Sequence, residues 1–128
     1  MGNGTSIGRV RGLGSAKSGA RTWILERGTG AATLVVWAYF IVSLLLLPSL
    51  GYQTVHDWMS RPLPASAMVL LVLGTFWHTQ LGLRVVIEDY VHEHANKYAC
   101  LTLLNLVAFA GGAFGVFAIV RIALGAAA

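Results

Sequence analysis

One histidine stands apart from the other three: His78 lies in the run WHTQLGLRVVIEDYVHEH, residues 77–94, with no charged side chain before it back to Pro62. The next charge, Arg84, follows six residues later, so on a helix rising 1.5 Å per residue the imidazole sits about 9 Å deeper than the guanidinium. An imidazole at that depth is costly in lipid unless it meets a partner, which makes it a functional candidate by default. Three roles fit it: a structural hydrogen bond across helices, proton transfer, or metal ligation through a ring nitrogen. Gly74 and Gly82, one turn before and one turn after, share its face, with Leu71, Leu81 and Val85 beside the stripe. A flat tetrapyrrole against a helix needs such a surface, with one outward imidazole, bare backbone on either side and apolar walls. The same glycines serve equally to bring two helices together with His78 bonding across the gap. Spacing alone leaves haem, packing and a proton path open. A zinc site does not fit, because His56, His92 and His94 lie at the ends of apolar stretches. A haem with two histidine ligands would have to take its second from another polypeptide.

Asp89 and Tyr90 close the same stretch. Asp89 falls about 20° from the face of His78 at 3.6 residues per turn, and Tyr90 follows at the mouth of the helix. A phenol beside a carboxylate at headgroup depth can hydrogen-bond a quinone carbonyl and help deliver protons from water. The pair also reads as an aromatic-belt tyrosine next to a solvated acid. Glu88 and Glu93 read as solvated. Cys100 is the single cysteine; it can form no internal disulfide and reads as a small packing residue.

Residues with this chemistry need elements to hold them, and composition says which. The chain has 128 residues, 56% hydrophobic and 11% charged, with mean hydropathy +0.69. That is too little charge to clothe a soluble domain. Asp, Glu, Lys and Arg are absent from Gly28 to His56, from Pro62 to Leu83 and from Tyr98 to Val120. Each gap is longer than the roughly 20 residues that cross a bilayer, and only helices close every backbone hydrogen bond within one segment in lipid. The sequence therefore predicts an all-α membrane protein with three transmembrane helices, near 29–49, 65–90 and 98–124. They form an anchor domain over 28–125, behind a basic tail over 1–27. A β-barrel has no room here.

Cations set the orientation. Arg9, Arg11, Lys17, Arg21 and Arg27 precede the first span and Arg84 and Lys97 flank the second connection, against Arg61 and Arg121 on the other side. Lys and Arg are retained on the cytoplasmic face, so the N-terminus is expected inside and the C-terminus outside. The net charge of +4 is a topology signal rather than a nucleic-acid patch. The first span is too long, and its leader too extended, for a cleaved signal. MGNGTS fits the loose myristoylation pattern at Gly2 and Ser6, redundant beside three spans. PSLGYQTVHDWMSRPLPAS holds all three prolines. It reads as an outer loop with Tyr52 and Trp58 at headgroup depth, Pro62 and Pro64 opening the second span.

The series HxxxGxxxxxxDYVH, from His78 to His92, resembles the small cytochrome b membrane anchor of the succinate dehydrogenase family, found in respiratory complex II. A second element agrees: WILERGTGAA, Trp23 to Ala32, resembles that family's aromatic residue followed by R-x-T at the start of the first helix. The resemblance covers residues 20 to 125. It implies that His78 is an axial ligand of haem b, the other ligand coming from the larger cytochrome b membrane subunit. It implies that Tyr90 hydrogen-bonds ubiquinone beside Asp89, and that Arg27 pairs with a haem propionate or the quinone pocket, although a cation at a helix entrance also serves as a positive-inside anchor. Trp23 would face the iron-sulfur subunit. Arg84 departs from the apolar or aromatic residue expected there and either snorkels or joins the propionates. The chain would then anchor a flavoprotein and an iron-sulfur protein to the bacterial inner membrane, or to the mitochondrial one in a eukaryote. It is not an enzyme alone: one cysteine and no dinucleotide fingerprint leave nothing to hold a cluster or flavin. Two alternatives stand, an anchor of a fumarate reductase and a non-redox membrane scaffold or assembly protein.

Overall fold

The computed structural model describes residues 19–125. Among them the regular elements are four helices, α1 (Gly19–Leu46), α2 (Tyr52–Met59), α3 (Pro62–Tyr90) and α4 (His94–Ala123). α1, α3 and α4 are each long and apolar enough to cross a membrane. At 1.5 Å per residue they reach about 42–45 Å against a hydrocarbon thickness of about 30 Å, so their polar ends stand outside the lipid. The three-span all-α class is as expected. Arg9, Arg11, Lys17 and the pattern at Gly2 and Ser6 lie outside the described residues, as do residues 126–128.

Boundaries differ where charge-free length was used to place them. α1 starts at Gly19, roughly three turns ahead of position 29, so the end of the basic tail is helix. A gap in charge marks the part that lies in lipid, whereas Ala20, Arg21, Leu25, Glu26 and Arg27 are good helix formers in water too. α3 starts at Pro62, with Arg61 extended as its N-cap (φ −77°, ψ 145°), where a proline costs no backbone bond.

α4 starts at His94, a turn earlier than expected, because Glu93 caps it. Its carboxylate accepts from the Asn96 N–H at 2.6 Å and the Ala95 N–H at 3.1 Å. Those bonds, Asn96 first and then Ala95, hold the Glu93 carboxyl below the usual carboxylate range. A depressed folded pKa means that the cap stabilises above the unfolded pKa and is lost as pH falls through the folded one. Amide exchange at Ala95 and Asn96 is accordingly expected to speed up on acidification beyond its intrinsic pH dependence, and Glu93→Ala to show the faster exchange at every pH.

The linker read as an outer loop contains α2. Tyr52 is 76% exposed, as an interfacial ring would be, but Trp58 is 7% exposed and belongs to the core. Helical spacing turns Trp58 inward against Met68, Leu71 and Ile119, with its ring 6.3 Å from that of Phe40. This packed end is where the described bundle buries most of its side chains.

α3 is the central helix. It packs against α1 on one side and α4 on the other, while α1 and α4 do not meet; α2 closes over α3 and α4 at the end where α3 begins. Small residues allow the approach. A Cβ on Gly111 would stand 2.5 Å from Phe76 Cε1, and one on Gly115 2.8 Å from Val72 Cγ1. Val72 is β-branched and cannot swing away freely. Gly115→Ala is therefore expected to destabilise the α3–α4 pair by about 1–3 kcal/mol, read as a lower melting temperature in detergent. Polar bonds cross between spans as well: Trp37 Nε1 donates to Thr75 Oγ1 at 3.2 Å, and Gln80 Nε2 to Asn105 Oδ1 at 2.9 Å. Such bonds fix helix rotation more than they add stability.

Candidate functional site

α3 presents His78, half-buried, to α1. Its Nδ1 lies 3.3 Å from Thr29 Oγ1. The ring edge rests on Gly30, where a Cβ would stand 3.0 Å from Cε1 and 3.5 Å from Nε2. Nε2 makes no hydrogen bond among the described residues. Of the two glycines expected to flank the imidazole, Gly82 is open, with nothing near its missing side chain. Gly74 instead packs on α1, where a Cβ would stand 2.7 Å from Thr33 Oγ1. One flank therefore serves helix packing, and the backbone bared to the ring is that of Gly30. Thr33 Oγ1 is buried there without a hydrogen-bond partner among the described residues.

Two cavities of different character lie between α1 and α3. Deeper in the span, a groove of about 530 Å³ runs past Thr29, Thr33, Val36, Leu70 and Trp77. Toward the start of α1, a cleft of about 310 Å³ is lined by Arg21, Leu25, Leu81, Arg84 and Glu88. Arg84 Nε also bonds Glu88 Oε1 at 2.8 Å, one turn along α3. The pairing explains how a cation is tolerated where an apolar residue was expected.

Arg27 is not in this cleft. It is exposed on α1 and stacks over the Trp23 ring, 5.9 Å from its centroid. It lies two positions before Thr29, which turns it about 160° away from the face that meets His78. Trp23 is itself 60% exposed.

Tyr90 is the last residue of α3 and is 78% exposed, with Asp89 exposed beside it. The turn after them is held at both ends. The Val91 N–H donates to Ile87 O at 3.0 Å, His92 Nδ1 lies 3.1 Å from Tyr90 O, and Lys97 Nζ donates to Glu88 O at 2.8 Å. The phenol is thus presented outward from a fixed corner, about 18 Å along α3 from His78. Among the described residues no three of His, Cys, Asp and Glu gather as a metal site would require. Cys100 is free and half-buried near the start of α4. Thr29 was noted from sequence only as the last residue of the R-x-T element and Gly30 not at all, although a threonine between two glycines in ERGTGAA was a signal that α1 offers bare backbone beside a hydroxyl.

Fold and site together define a small three-span membrane protein that holds one imidazole between two of its spans. Residues 1–113 match the succinate dehydrogenase/fumarate reductase transmembrane subunit family, and the chain belongs to that family. Its relatives include the succinate dehydrogenase hydrophobic membrane anchor subunit of Rickettsia bellii (strain RML369-C), 30% identical over 89% of this chain and 86% of that protein. The protein of the same name from Rickettsia conorii (strain ATCC VR-613 / Malish 7) is 30% identical over 78% of this chain and 80% of its own length. That of Paracoccus denitrificans is 28% identical over 91% and 90%.

Proposed function

We propose that this chain is the hydrophobic membrane anchor subunit of a succinate dehydrogenase, and that it helps to bind haem b and to form the ubiquinone reduction site. The observation that carries the reading is the half-buried His78 inside α3, with Nδ1 engaged and Nε2 unbonded. The surroundings suit an amphiphilic tetrapyrrole: between α1 and α3 lie an apolar groove past Thr29 and Trp77 and a cleft lined by Arg21 and Arg84. When bound, haem b would supply a one-electron store between the iron-sulfur subunit and quinone.

The residues of this chain then divide the work. His78 Nε2 would provide one ligand to the haem iron, the larger membrane subunit another. Arg21 and Arg84, which line one cleft between α1 and α3, would neutralise propionates. Arg27, turned to the outer face of α1, would pair with an anionic group on the quinone side or the partner subunit. Tyr90 would donate a hydrogen bond from its hydroxyl to a quinone carbonyl oxygen, and Asp89 would restore protons from water to that corner. Succinate oxidation would belong to the flavoprotein and iron-sulfur partners, with the N-terminus on their side of a bacterial or mitochondrial inner membrane. The family equally includes anchors of fumarate reductase, and this arrangement of residues would serve either direction.

Isolation of the tagged chain in mild detergent, with mass spectrometry of what accompanies it, tests the assignment. Stoichiometric recovery of a flavoprotein, an iron-sulfur protein and a second cytochrome b subunit is expected. Recovery of the chain with none of them would favour the scaffold reading.

A further inference from the structure

Thr29 makes three contacts through one hydroxyl. Its Oγ1 lies 2.7 Å from Leu25 O and 3.2 Å from Glu26 O on its own helix, and 3.3 Å from His78 Nδ1 across the gap. A hydroxyl has one hydrogen to give and two lone pairs to receive with. Both backbone oxygens can only accept, so the hydrogen goes to Leu25 O, the shorter of the two. Oγ1 is then left as the acceptor toward His78, and Nδ1 must carry the ring proton. A neutral imidazole protonated at Nδ1 has its lone pair on Nε2, the nitrogen without a protein partner among the described residues. Gly30 completes the device, because with no side chain there the ring can lie against α1 in this orientation.

We infer that Thr29 is the positioning residue for His78, selecting the tautomer that ligates through Nε2 and fixing the plane of the ring. The inference rests on the reading of His78 as an axial ligand. A hydrogen bond donated by the distal ring nitrogen raises ligand basicity, and its loss typically costs about 10- to 100-fold in metal affinity. A more basic imidazole favours ferric over ferrous iron, so loss of the bond also shifts the midpoint potential upward.

The test uses the complete detergent-purified complex carrying wild-type chain, Thr29→Val, Thr29→Ser, Thr29→Ala or His78→Ala. Two quantities are read: the rate of haem transfer to excess apomyoglobin, and the midpoint potential of the b-type band. Thr29→Val keeps the shape but cannot accept, and is expected to release haem about 10- to 100-fold faster with a raised potential. Thr29→Ser restores both, and Thr29→Ala serves if the valine variant fails to assemble. A serine variant that behaves like valine, or valine and alanine variants that behave like wild type while His78→Ala loses haem, overturns the role of Thr29 alone. Haem retained unchanged in His78→Ala overturns the axial-ligand reading and the inference with it.

Discussion

His78→Ala is expected to remove nearly all b-type absorbance from the assembled complex while leaving succinate oxidation by a soluble dye largely intact. Alanine deletes the one imidazole that α3 holds inside the span, and no other histidine of the chain can replace it. His92 and His94 flank the turn beyond Tyr90, more than about 18 Å along α3, and His56 lies in α2 at the opposite end. The loss is expected to be local. His78 is only half-buried, and the α1–α3 contact keeps its Gly74–Thr33 packing and the Trp37–Thr75 bond. Dye reduction is expected to survive because the proposed division of labour leaves succinate oxidation to the flavoprotein and iron-sulfur partners. Absorbance and dye reduction are measured on the same preparation, and a variant with full absorbance would remove His78 from the haem site.

Tyr90→Phe is expected to slow ubiquinone reduction about tenfold, the worth of one hydrogen bond of about 1.4 kcal/mol, with haem content unchanged. The substitution removes one hydroxyl from a side chain that is 78% exposed at the end of α3, so it disturbs no packing within the chain. The corner stays in place, since it is held through backbone atoms and Lys97 rather than through the phenol. Because His78 lies about 18 Å away along the helix, the two variants should separate quinone chemistry from haem binding. Steady-state quinone reduction at saturating succinate reads the effect; wild-type kinetics in Tyr90→Phe would place the pocket elsewhere.

The spans were legible because the absence of charge is a direct statement about lipid, and Pro62 marked the start of α3 because a proline there costs nothing. The first turns of α1 were not legible, since helix formation in water leaves no gap in charge. The linker's proline and glycine hid α2, and with it the burial of Trp58, which tertiary packing decides. Depth and spacing placed His78 inside the second span and Tyr90 at the mouth of the same helix. The rotation of α1 against α3 could not be read from them. It turned Gly74 toward Thr33, brought Thr29 and Gly30 to the imidazole, and carried Arg27 away while Arg21 and Arg84 shared a cleft.

The most direct test of the central claim is a dithionite-reduced minus oxidised spectrum of the complex isolated through this chain. Sharp b-type bands in stoichiometric amount are the expected result. A colourless preparation that nonetheless contains the flavoprotein and iron-sulfur partners would contradict haem binding at His78 and leave the imidazole as a bond between α1 and α3.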